Sequence, residues 1–75
     1  MKIISQTEGR SHVVYKGVHY IVLDIGSAVW VLLAHEDGTV LVWNRTGEDI
    51  YTHGMSYEEV MENLPYLIDQ RGKRT

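Results

Sequence analysis

This sequence predicts a mostly-β (α+β) domain. The expected form is a small antiparallel meander or SH3-like barrel of four to five strands, with one C-terminal amphipathic helix. Three observations carry the prediction. Short runs rich in β-branched and aromatic residues alternate with turn signals up to about residue 53. The stretch WVLLAHEDGTVLVW, residues 30–43, is nearly symmetric about Asp37-Gly38, as a hairpin is. Beyond Met55 the apolar spacing changes to the helical i, i+3, i+4, i+7 pattern.

Taken in order, KIISQ reads as a short strand. HVVY, then Lys16-Gly17, then VHYIVLDI reads as a first hairpin, with the glycine permitting the turn. Gly26-Ser27 breaks the chain before AVWVLLAH, and Glu36-Asp37-Gly38 turns it into TVLVWN. RTGED is a loop and IYT a last short strand. Ser56 followed by Glu59 is a capping box, and Met55 with Val60 forms a hydrophobic staple around it. Tyr57, Val60, Met61 and Leu64 then make one apolar stripe, with Glu58, Glu59 and Glu62 on the opposite side. This helix is expected over about 56–64. Pro65 ends or kinks it, and PYLIDQRG is able to restart as a short second turn. The whole chain, 1–75, reads as one domain, β-rich over 1–53, with a basic tail over 71–75.

The central hairpin is unusual because neither face is polar. Val29, Val31, Leu33, Val40 and Val42 interleave with Trp30, Leu32, Ala34, Leu41 and Trp43. A two-residue Asp37-Gly38 turn pairs Leu32 with Trp43. A three-residue loop, with Gly38 left-handed in a bulge, pairs Val31 with Trp43 and sends the two tryptophans to opposite faces. Either way the sheet must be covered twice. A two-turn helix spans only ~13 Å, so an apolar surface is expected to remain for another chain.

Composition narrows the function. Apolar residues are 44% and charged residues 23% of the 75, which suits a folded domain rather than a disordered one. With no cysteine, neither disulfides nor thiolate–metal sites are available. The N-terminal MKIISQTEGR does not read as a secretory signal, and the longest apolar run is too short for a membrane helix. A cytoplasmic location is therefore expected. Net charge is −3, unevenly spread: nine acids face Arg45 alone between Gly17 and Gln70.

Chemistry-bearing motifs are sparse. His12 and His19 share a face if Lys16-Gly17 is a two-residue turn, with Asp24 or His53 able to join only by folding. There is no helical H-x-x-x-H, so no metal is expected. No G-x-S-x-G or glycine-rich phosphate loop occurs, and Glu36-Asp37 and Glu48-Asp49 sit where turns want acids. The expectation is no enzyme and no cofactor. Tyr15, Tyr20, Trp30 and Trp43 with Arg10, Lys16 and Arg45 offer a base-stacking alternative, against which the acidic surroundings argue.

The expected function is non-catalytic binding by a homo-oligomeric modulator or inhibitor. Its partners are a second copy, in a dimer or small symmetric oligomer, and another protein, with no membrane. A small ligand held between subunits is a further alternative. The candidate binding residues are Trp30, Trp43, Val40 and Val42 on the strands, Arg45 beside them, and Glu58, Glu59 and Glu62 on the helix.

Overall fold

The structure, a computed structural model, describes residues 1–41, 50–52 and 54–72. The strands are β1 (Lys2–Thr7), β2 (Arg10–Tyr15), β3 (Val18–Asp24), β4 (Val29–Leu33) and β5 (Ile50–Thr52). They are followed by α1 (Tyr57–Glu62) and α2 (Leu64–Gly72). The sheet order is β1-β2-β3-β4-β5, each neighbouring pair antiparallel. The expected meander is present. Among the described residues no pairing joins β1 to β5, so the sheet is open and the expected barrel closure is not seen.

The first hairpin follows the sequence closely. Lys16 and Gly17 both take positive φ, 52° and 80°, and Tyr15 pairs with Val18 across them. Two left-handed residues in a two-residue loop match the natural strand twist. That register places Ser11, Val13, Tyr20, Val22, Val29 and Val31 on one face of the sheet. Arg10, His12, His19, Ile21, Leu23, Trp30 and Leu32 lie on the other.

The helices cover the first face. Val13, Val22, Val29 and Val31 form one buried cluster with Val60 and Leu64, and Met55, Tyr57, Met61, Leu67 and Ile68 pack around it. All four residues of the helical stripe thus belong to this core or pack against it. At the N-terminus of α1, Glu59 N–H donates to Ser56 Oγ at 3.1 Å and Ser56 N–H donates to Glu59 Oε1 at 3.4 Å. Ser56→Ala should cost ~1 kcal/mol through the lost cap. A chemical melt that leaves the midpoint unchanged would show that the cap adds nothing to the packed stripe.

The helical part is two helices rather than one. The break comes at Asn63, whose backbone N–H and side-chain Nδ2 both donate to the Glu59 carbonyl, at 3.1 and 2.8 Å. Its own carbonyl accepts from Leu67 N–H at 2.9 Å and so opens α2. Pro65 falls in the first turn of α2, where its missing N–H has no intrahelical partner to lose.

Two polar contacts fix the helices along β2. Ser11 Oγ, buried on the sheet, is hydrogen-bonded to Tyr57 OH. At the other end Asp69 accepts from Tyr15 OH at 2.8 Å and from Lys16 Nζ at 3.2 Å. The Asp69 hydrogen bond is the main reason both the Tyr15 phenol and the Lys16 ammonium hold their protons above their ordinary values. Folding therefore favours the protonated form of each. The stabilisation is complete below the ordinary tyrosine value of 10.0 and is lost as pH rises through the raised values. The melting temperature should fall more steeply above that pH in the native chain than in Asp69→Ala. Parallel profiles would show that this anchor contributes nothing.

The second face is covered differently. After β4 the chain makes a three-residue loop: His35 N–H donates to the Thr39 carbonyl at 2.8 Å, Gly38 N–H donates to the His35 carbonyl at 3.0 Å, and Ala34 bridges Val40. Gly38 has φ +88°, so the longer of the two expected loops is the one formed. Leu41 N–H reaches the Leu33 carbonyl at 3.0 Å, and Val31 takes Ile50 of β5 as its neighbour. Trp43, whose partner differs between the two expected registers, lies outside the described residues. Thr52 Oγ1 reinforces the β4–β5 pairing by donating to the Val29 carbonyl at 2.7 Å.

The loop also folds back across the sheet. It leaves beside Leu33, yet the Gly38 carbonyl accepts from the Arg10 guanidinium at 3.0 Å, at the far end of β2. This lays Gly38 over His12. Ile21, Leu32 and His12 on this face are only 1%, 4% and 7% exposed. On β4, Val29, Val31 and Leu32 are therefore buried within one chain, while Trp30 and Leu33 are half-buried.

Candidate functional site

Beneath the folded-back loop lies a cavity of about 110 Å³ lined by Ser5, Thr7, Arg10, His12, Ile21, Asp37 and Gly38. The two-residue turn brings His12 and His19 onto one face, as the sequence suggested. His12 Nε2 and His19 Nδ1 are 2.8 Å apart, with ring centroids 5.0 Å apart. Those two distances place the nitrogens close to the line joining the rings. One ring therefore donates its N–H to the lone pair of the other, and the pair is occupied with itself. Among the described residues no group of three or more His, Asp or Glu is placed to hold a metal.

Thr7, Arg10 and Asp37 are likewise in structural use, each hydrogen-bonded to backbone. Asp37 Oδ1 accepts from Thr39 N–H at 2.9 Å, and this backbone hydrogen bond holds the Asp37 carboxyl below its ordinary value. Among the described residues no buried side-chain polar atom lacks a hydrogen-bond partner. Gly38 is where the loop is least tolerant. Besides its positive φ, a Cβ there would sit 3.2 Å from His12 Nδ1. Gly38→Ala should cost ~1–2 kcal/mol through left-handed strain alone, with the His12 contact adding to it. A neutral effect in a urea melt would show that the loop is free to lift off the sheet.

A larger open cleft of about 620 Å³ lies where the β1–β2 and β3–β4 turns meet the start of α1. Glu8 of the β1–β2 turn, Asp24 at the end of β3, and Glu58 and Glu59 at the start of α1 line it, with no lysine or arginine among the described lining residues. Two of these carboxylates also serve the fold. Asp24 Oδ1 accepts from Gly26 N–H at 2.8 Å, and Glu59 closes the capping box. The sequence identified Glu58 and Glu59. It missed Glu8 and Asp24, which only the closed hairpins bring beside the helix. Glu62, the third expected helix residue, is exposed outside this cleft.

The strand candidates are scattered. Trp30 lies on the His12 face and is half-buried, and Val40 is half-buried at the bridge beyond β4. Trp43, Val42, Arg45 and His53 lie outside the described residues. Tyr20 packs against the helices, on the face opposite Trp30, and Tyr15 is bonded to Asp69. The described aromatics thus present no single stacking surface, and Lys16 is ion-paired to Asp69.

A further feature, which sequence reasoning did not single out, is β1. All six of its residues are exposed, and Ile3 and Ile4 are 47% and 46% exposed. It is the first strand of the sheet and pairs on one side with β2. The register shifts between Ile3 and Ser5, leaving Ile4 as a bulge.

The architecture defines a class: an open antiparallel meander whose two faces are covered by a helix pair and by its own folded-back hairpin loop. Compared with known proteins, the chain matches no family model, no curated protein and no solved structure. Among the described residues no helix is long and apolar enough to cross a membrane.

Proposed function

We propose that this protein is a non-catalytic binding module that works through protein–protein contact, self-associating and acting as a modulator or inhibitor of another protein. The observation that carries the reading is β1, a sheet edge with every residue exposed and two isoleucines half in solvent. Such an edge is a template for pairing with another chain. The acidic cleft of Glu8, Asp24, Glu58 and Glu59 adds a surface suited to a cationic partner. Around the small cavity His12 is hydrogen-bonded to His19, Arg10 to the Gly38 carbonyl and Asp37 to the Thr39 N–H, contacts that hold the loop on the sheet.

Sedimentation velocity over a wide concentration range tests the self-association. The expected result is a dimer or small oligomer that dissociates on dilution. A monomer at every concentration, with a melting temperature independent of dilution, would contradict it.

A further inference from the structure

We propose that β1 pairs with the β1 of a second copy, antiparallel about a two-fold axis, so that two open sheets become one continuous sheet. This rests on the self-association proposed above and adds its surface and orientation.

Among the described residues no strand lies on the outer side of β1, which leaves its backbone N–H and C=O groups there without a strand partner among them. The common protections of an edge are thin. The strand has no proline, and Lys2, its one charge, sits at its first position. The bulge at Ile4 is the one device present, and the added local twist confines the shared ladder to Ser5–Thr7. A ladder that short makes a weak, concentration-dependent dimer. Val29, Val31 and Leu32 are buried inside the chain. The large apolar residues exposed elsewhere among the described residues, Val18, Ile25 and Tyr66, lie on separate segments, whereas Ile3 and Ile4 are adjacent on one strand.

Charge sets the orientation. Lys2 marks one end of β1, and the exposed Glu8 follows directly after its other end. Antiparallel pairing carries each Lys2 toward the partner's Glu8 end, whereas parallel pairing sets like charges side by side. Antiparallel pairing is also the arrangement in which one patch meets itself under two-fold symmetry.

The absence of cysteine makes a clean test possible. Ser5→Cys, Gln6→Cys and Thr7→Cys are compared under mild oxidation with Val18→Cys, an exposed control on β3. At least one β1 variant should form a disulfide-linked dimer about tenfold faster than the control, through proximity in the pre-formed dimer. Lys2→Glu should weaken the dimer about two- to tenfold, and adding Glu8→Lys should restore it. A dimer by sedimentation whose β1 variants crosslink no faster than the control would overturn the β1 interface while leaving self-association intact. Fast crosslinking without charge rescue would overturn the antiparallel orientation. A monomer at all concentrations would remove both this inference and the reading beneath it.

Discussion

Leu64→Ala should destabilise the protein by about 2–5 kcal/mol. Leu64 is fully buried where α1 meets α2, in the same cluster as Val22, Val31 and Val60. Removing its side chain leaves a void between the helices and the sheet, and the neighbouring valines are too short and stiff at χ1 to fill it. Domains of this length have a total stability of roughly 4–11 kcal/mol. The truncation therefore takes a large share, and the melting temperature should fall by at least about 10 °C. A urea melt measures it. A loss under about 1 kcal/mol would mean that the helices rest loosely on the sheet.

Ile21→Ala on the opposite face should cost a similar ~2–5 kcal/mol. Ile21 is 1% exposed although no helix lies on its side. Its burial follows from the neighbouring strands and from the loop folded back at Gly38, which closes the small cavity lined by Ile21, His12 and Arg10. The same loss should appear at low and high protein concentration, because the cover belongs to the same chain. A cost that vanishes on dilution would mean that a second chain buries this face.

Most of the strand and turn order is legible in the sequence. Lys16-Gly17 states its turn, and Ser56 and Glu59 state the start of α1, because each is a local pattern with one good geometric solution. The register of the central hairpin is not legible, and Val29 to Leu33 show why. Alternation normally tells a strand which way to face, and apolar residues at every position erase that cue. Ile50–Thr52 take the positions beside Val29–Val31, and no local pattern announces that outcome.

The helix break illustrates a smaller miss. Pro65 flags an interruption, but the capping that places it at Asn63 comes from an amide able to satisfy the Glu59 carbonyl. The candidate site divides in the same way. Glu58 and Glu59 are legible as the acidic first turn of a helix, whereas Glu8 and Asp24 join them only after three strands have folded. β1 is readable as a strand, but its edge position is a property of the sheet order. Of the double apolar hairpin, read from sequence as surface left over for a partner, Val29, Val31 and Leu32 are buried within the chain, and Val42 and Trp43 lie outside the described residues.

Amide hydrogen exchange, followed residue by residue at low and high protein concentration, tests that central claim most directly. The amides of Val22, Val31 and Leu32 should exchange only through global unfolding, with protection unchanged on dilution. Of the amides of Ser5, Gln6 and Thr7, those that point away from β2 should gain protection only in the concentrated sample. Loss of protection at Val31 and Leu32 on dilution would contradict the account, since the faces of β4 would then depend on a second chain for their cover.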